Sequence, residues 1–171
     1  DPQPDCAAGG RAMKYWLAPA GLHVALAEPD DAAQLAKMHA ESFFSGWPED
    51  EIRNYIQQPK HHSVYVATNP KRQIAGFMVL RQVADECELL TIAVARRWRR
   101  KGVGDALMRA GFSDLMQSPA KTMFLEVEDG NRPAIALYQR HGFQPVSRRE
   151  AYYDKGDGPR AAALVMRRDL S

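Results

Sequence analysis

The chain has 171 residues, 45% of them hydrophobic and 26% charged, with a formal net charge of +2. That length points to one domain with a real core. The composition excludes wholesale disorder, and the near-neutral charge argues against nucleic-acid binding by bulk charge. Cys6 and Cys87 are far apart and form no metal or redox motif, so reduced thiols in a cytoplasmic protein are the expectation. No apolar run reaches membrane-spanning length, and the acidic start is unlike a signal peptide. Residues 1–12 are rich in Gly, Ala and Pro without periodicity. They read as a flexible leader or expression remnant, with Met13 a candidate natural start and 13–171 a single domain.

The first strand is expected over His23–Ala27. Pro29 and Asp30-Asp31 open a helix carrying Ala33, Leu35, Ala36, Met38 and His39, with Asp30 as its N-cap. Ser45-Gly46-Trp47-Pro48 breaks it, and Glu49–Gln57 forms a short second helix with Ile52, Tyr55 and Ile56 on one side. His62–Thr68 alternates as a strand. Asn69-Pro70-Lys71 turns the chain back into Gln73–Val83, and Glu86–Val94 follows as a further strand. A long helix spans Val103–Met116 and stops before Ser118-Pro119. Thr122–Val127 is a strand, Asp129-Gly130-Asn131 a turn, and Pro133 suits the first turn of a helix that ends at His141-Gly142. Phe143–Tyr153 and Ala161–Met166 are the last strands. The order β-α-α-β-β-β-α-β-α-β-β is that of a mixed α/β domain.

Chemistry concentrates first between Val94 and the long helix. Arg96-Arg97-Trp98-Arg99-Arg100-Lys101 puts five cations in six residues, just before Gly102-Val103-Gly104. A helix N-terminus offers unpaired N–H groups and a positive dipole end, and glycine lets a bulky anion approach the backbone. The pattern fits neither a P-loop nor a dinucleotide fingerprint, which would need a glycine where Leu107 stands. Arg99-Arg100-Lys101-Gly102-Val103-Gly104 instead resembles the acetyl-CoA loop of the GNAT superfamily of N-acetyltransferases. The alternative is a solvated basic turn. A second stretch, Leu125-Glu126-Val127-Glu128-Asp129-Gly130-Asn131-Arg132-Pro133-Ala134-Ile135-Ala136-Leu137-Tyr138, joins it. The two together resemble the RimI-type enzymes that acetylate the N-terminal alanine of a small-subunit ribosomal protein. The likeness extends over about residues 21 to 168.

The resemblance implies a GNAT fold, a mostly antiparallel twisted sheet of about seven strands with about four helices. It implies acetyl-CoA as cosubstrate, no metal, and a protein N-terminus as acceptor. It also implies no direct contact with nucleic acid or membrane, and a monomer or weak dimer. Glu126 would be the general base, made more basic by apolar strand neighbours; the competing reading is a surface strand glutamate. Tyr138 would be the acid that reprotonates the CoA thiolate, or a tyrosine packing by its ring, or both. Asn131 would hold the pantetheine arm, or cap the helix that follows. Ile92, Ala93 and Val94 would pair with pantetheine through their backbones. Arg99, Arg100, Lys101, Gly102, Val103, Gly104 and Asp105 would take the pyrophosphate. Trp47, Tyr152 and Tyr153 would line the acceptor groove, or belong to core or rim.

Glu128 stands where the family commonly has Arg, and Ala161-Ala162-Ala163 where it often has an acidic residue; both bear on acceptor specificity. His61-His62 is no metal pair, since neighbours on a strand point to opposite sides and no third ligand follows at motif spacing. Neither cysteine sits by these motifs, so direct transfer is expected over an acetyl-cysteine route. Two other functions remain in view: acetylation of a small-molecule amine, and a non-catalytic acetyl-CoA-binding regulatory domain.

Overall fold

The computed structural model describes residues 14–43, 45–150 and 162–170, and the backbone of 153–154 and 158–159. The expected leader, residues 1–12, and Met13 lie outside the described residues. The strands are β1 (Tyr15–Leu17), β2 (His23–Leu26), β3 (His62–Thr68), β4 (Ile74–Val83), β5 (Glu86–Val94), β6 (Thr122–Glu128), β7 (Gln144–Arg149), β8 (Tyr153–Asp154), β9 (Gly158–Pro159) and β10 (Ala163–Asp169). The helices are α1 (Ala32–Ser42), α2 (Glu49–Ile56), α3 (Val103–Leu115) and α4 (Arg132–Arg140).

Eight strands form one sheet in the order β1-β2-β3-β4-β5-β6-β10-β7, and β8 and β9 pair separately. Among the described strands of this sheet only β5 and β6 run parallel; every other neighbouring pair is antiparallel. α3 supplies the crossover that a parallel pair requires.

Both faces of the central strands are covered, which explains why β3 and β4 read as nearly unbroken apolar runs. On one face, Ala32, Leu35 and Met38 of α1 and Ile52 of α2 pack on Val64, Val66, Phe77, Val79 and Ala93. On the other, Val103, Ala106, Leu107 and Ala110 of α3 pack on Tyr65, Met78, Leu80, Leu89 and Leu125. The α3 spacing of three and four residues is the stripe that a sheet-packed helix presents.

Three details differ from the sequence expectation. β1 is an added edge strand, held by tertiary contacts: Trp16 meets the Tyr65 ring edge-on at 5.8 Å, and Lys14 pairs with Asp114 of α3, which also accepts the Tyr65 hydroxyl. Such long-range ties leave no local sequence signal. Asp30 does not cap α1. Pro29–Asp31 is a 3-10 turn, and the Asp31 carboxylate accepts the Glu28 N–H at 2.7 Å and pairs with Arg72 at 2.7 Å. The final pair of long strands is shorter than expected at β7 and displaced toward the C-terminus at β10.

Candidate active site

The centre of the site is a place where the sheet fails to close. The β5–β6 ladder runs from Glu86 opposite Thr122 to Leu89 opposite Leu125 and stops there. Its end coincides with a bulge in β5. Val79 pairs with Thr91 and Leu80 with Leu89, so Leu90 has no partner on β4. An extra residue bends and twists the bulged strand. Beyond it, Ile92, Ala93 and Val94 pair only with β4, while Glu126, Val127 and Glu128 pair only with β10. The two strands therefore part, and beyond Leu89 the β5 edge has no strand partner on the β6 side among the described residues. Thr91 sits at this point with its hydroxyl buried and without a hydrogen-bond partner among the described residues.

The bulge delivers β5 into the basic turn. Arg96–Trp98 is one 3-10 turn, and Arg99 Nε donates to the Val94 carbonyl at 3.2 Å. Two cations lie over the Trp98 ring, Arg97 5.5 Å and Lys101 5.2 Å from its centroid. Arg100 (φ 63°) and Gly102 (φ 78°) are both left-handed, and Gly102 is the N-cap of α3. The first helical bond runs from the Ala106 N–H to the Gly102 carbonyl at 3.0 Å. The N–H groups of Val103, Gly104 and Asp105 are thus left for an anion. A Cβ at position 104 would lie 3.3 Å from a Leu137 methyl, so glycine lets α3 and α4 approach here. A cleft of about 310 Å³ opens beside the turn, lined by Glu41, Ser42, Ala95, Arg96 and Arg99.

Asp105 ties this helix start to α4. It accepts from His141 Nε2 at 2.8 Å and from Arg140 at 3.3 Å. Burial alone would raise its carboxyl, but the bonds to His141 and Arg140 outweigh burial and hold it below its ordinary value. Asn131 spends its side-chain oxygen on the Ala134 N–H at 3.3 Å, the capping alternative of the sequence reading.

The two expected catalytic side chains lie on opposite sides of the sheet. Tyr138 is 6% exposed in the core under α3 and α4, edge-on to Phe143 at 6.0 Å. Burial pushes its phenol up from the ordinary 10 to about 12. Glu126 alternates with the buried Leu125 and Val127 and so projects toward the side of α1 and α2. The apolar surroundings expected for it are not found: its side chain is 43% exposed and lies 3.4 Å from Arg149 of β7. Alternation placed the flanking residues correctly but on the other face. Asp129, three residues on, pairs with Arg148 at 2.8 Å.

Trp47 lies in the α1–α2 connection, half-buried. His39 accepts its backbone N–H through Nδ1 at 3.1 Å and stacks on its ring at 4.6 Å and on Phe43 at 4.3 Å. The aromatic chain continues edge-on from Trp47 to Tyr55 at 5.6 Å and stacked from Tyr55 to His62 at 4.5 Å. Tyr152 lies outside the described residues, and Tyr153 is described by its backbone alone. His39 and Arg149 are the residues that sequence reasoning passed over. His39 read as one more residue of the inner face of α1, and only its spacing of four from Phe43 and eight from Trp47 hinted at a stack. Among the described residues no group of three or more His, Cys, Asp or Glu could hold a metal ion. No described helix is long and apolar enough to cross a membrane.

A parted parallel strand pair, a basic turn and a helix start stripped of side-chain caps are the parts of an acetyltransferase. The model of the Acetyltransferase (GNAT) family matches residues 32–143, and the chain belongs to that family. Within it, the chain is similar to the ribosomal protein bS18-alanine N-acetyltransferase of Escherichia coli K12. It is 36% identical over 136 residues, covering 80% of this chain and 90% of that protein. The crystal structure of the Escherichia coli ribosomal-protein-S18-alanine N-acetyltransferase superimposes with a TM-score of 0.77 at 28% identity, covering 88% of this chain and 94% of that one. The fold alone is shared with Arabidopsis thaliana NAA60 in complex with acetyl-CoA, with a TM-score of 0.76 at 18% identity over 86% of this chain and 98% of that one.

Proposed function

We propose that this N-acetyltransferase acts on the α-amine of a protein N-terminus, the N-terminal alanine of a small-subunit ribosomal protein, with acetyl-CoA as donor. The observation that carries the reading is the parting of β5 and β6 beyond Leu89 and Leu125, with Glu126 just past it on one face of the sheet and Tyr138 in the core of the other. The residues present fit the donor. The free N–H groups of Val103, Gly104 and Asp105, with Arg99, Arg100 and Lys101 around them, suit a pyrophosphate. The open β5 edge at Ile92, Ala93 and Val94 suits the amides of a pantetheine arm, as an added strand would. Asn131 retains only its NH2 group for that arm, its oxygen being the cap of α4.

In this reading Glu126 accepts a proton from the acceptor ammonium, directly or through a water. The neutral amine attacks the thioester carbon, the C–S bond breaks, and Tyr138 gives its hydroxyl proton to the departing thiolate; the second proton, shed by the new amide nitrogen, returns to the Tyr138 phenolate through water. An α-amine with pKa near 8 is about one-tenth neutral at pH 7, whereas a lysine is neutral about once in a few thousand. The same carboxylate therefore serves a chain terminus more readily than a lysine side chain. Trp47 and its stack would wall the acceptor side, together with Tyr152 and Tyr153. Relatives that modify a bacterial ribosomal protein support a cytoplasmic reaction.

The test is CoA release with a peptide beginning Ala-Arg-Tyr, with the same peptide blocked at its α-amine, and with Glu126→Gln beside the wild type. Turnover confined to the free N-terminus and lost in the variant is expected. Tight acetyl-CoA binding without turnover of either peptide would sink the reading.

A further inference from the structure

The face of the sheet that carries Glu126 is only partly roofed. None of the described core residues beneath α1 and α2 comes from β6 or β10. The strand registers set a row of side chains across this face: His62 opposite Arg81, Arg81 opposite Glu88, Glu88 opposite Phe124, and Phe124 opposite Arg167. Glu126 stands two residues further along β6, on the same side.

A cleft of about 370 Å³ adjoins this row, lined by Arg81, Val83, Glu86, Cys87, Glu88 and Phe124. Strand alternation points every one of these side chains except Cys87 to the Glu126 side. Phe124 and the 63% exposed Val83 make it apolar. Arg81 is committed to Glu88. Arg167 pairs with Asp169 at 3.0 Å while lying 5.7 Å over the Phe124 ring. Glu86 is exposed and has no ion pair among the described residues. The cleft therefore joins apolar walls to one uncompensated carboxylate.

Resting on the transferase reading above, we infer that this cleft is a specificity subsite for a basic side chain of the acceptor protein, an Arg or Lys a few residues after the reacting N-terminus. Glu86 lies opposite Thr122, four residues before Glu126 on β6. At a strand rise of about 3.3 Å that is roughly 13 Å, so an extended acceptor spans it in about four residues, and in fewer when a long side chain reaches back. The alkyl stem lies along Phe124 and Val83 while its charge meets Glu86, the division that Lys and Arg adopt on such surfaces. An acidic side chain would meet two glutamates there and only an arginine that is already paired.

The experiment uses the full chain and three peptides with free N-terminal alanine, carrying arginine, norleucine or glutamate at positions two to four. Acetylation kinetics are measured for the wild type, Glu86→Gln and Glu86→Lys, and each peptide, labelled at its C-terminus, is also titrated by fluorescence anisotropy in the presence of CoA. Glu86 is exposed, so the variants are expected to fold, and thermal melts check this. The expected result is a KM about five-fold lower for the arginine peptide than for norleucine at unchanged kcat, lost in Glu86→Gln and inverted toward glutamate in Glu86→Lys. Equal KM values for the three peptides, a preference for glutamate in the wild type, or an arginine preference that survives both variants would overturn the subsite. Charge-selective binding that tracks residue 86 without any turnover would uphold the subsite and remove the peptide-transferase reading. Turnover blind to charge would do the reverse.

Discussion

His39 and Trp47 hold each other twice: the imidazole Nδ1 accepts the Trp47 backbone N–H at 3.1 Å, and the two rings stack at 4.6 Å. Because Nδ1 accepts, the neutral ring carries its proton on Nε2, and a second proton would have to displace the Trp47 N–H. Burial lowers the His39 pKa from 6.5, with Glu51 opposing only in part, and burial lowers His62 as well. The folded state thus binds fewer protons than the unfolded one, so stability is intact above about pH 6.5 and falls as pH drops through the folded pKa. Thermal melts from pH 7.5 to 5 are expected to show a declining midpoint, with a shallower decline in His39→Phe. That variant keeps the stack and loses the acceptor. It should also raise the acceptor KM while leaving kcat nearly unchanged, since the lost bond shapes the α1–α2 connection and not the reacting atoms.

Tyr138→Phe separates packing from proton supply. The ring stays in its core position, and no described residue hydrogen-bonds the hydroxyl. Stability should therefore change by less than about 1 kcal/mol, while kcat falls by roughly two orders of magnitude, the lower range for loss of a general acid. With the phenol pushed up to about 12 by burial, no loss of activity from its ionisation is expected below about pH 10. A pH–rate profile with a basic limb near 9 that vanishes in Tyr138→Phe would contradict this account.

Gly102→Ala tests the turn at the start of α3. A methyl group there meets only a Pro19 carbon at 3.4 Å, so space is available. The left-handed φ of 78° is what an alanine resists, at about 1–2 kcal/mol. In a chain of this length each kcal/mol lowers the midpoint by about 2–4 °C. A KM for acetyl-CoA raised several-fold, with kcat less affected, is the expected kinetic signature.

Asp105→Asn loosens the tie between the first turn of α3 and the end of α4. The wild-type carboxyl is held below its ordinary 3.8 by His141 and Arg140 despite burial. Its stabilisation is full above that value and is lost as pH falls through the folded pKa. The variant should lose about 1–2 kcal/mol at neutral pH and show a flatter stability profile between pH 5 and 3. Chemical denaturation at several pH values measures both.

Most of the scaffold was legible because its signals are local. Alternation marked β6, the three-and-four spacing marked α3, and Asn131 with Pro133 marked the start of α4. The cation-rich turn could be read as an anion site because a helix start and glycines lie side by side in the chain. What escaped was set by tertiary partners. β1 exists through Trp16 against Tyr65 and Lys14 against Asp114. Glu126 met Arg149 instead of an apolar wall, because the sequence told which residues alternate but not which face is roofed. The bulge at Leu90 hid within a run that is apolar on both sides, where one extra residue changes nothing in the pattern of letters.

That bulge resets the phase of β5 in mid-strand. Cys87 and Leu89 point to the α3 side below it, and Ile92 and Val94 regain that side above it. A chain lacking Leu90 would keep these four residues in step, and its β5 could run on beside β6 as an unbroken zipper. The tidier sheet would gain backbone pairs and lose its doorway. The extra residue is thus a defect that the fold keeps, in which stability is given up for an opening.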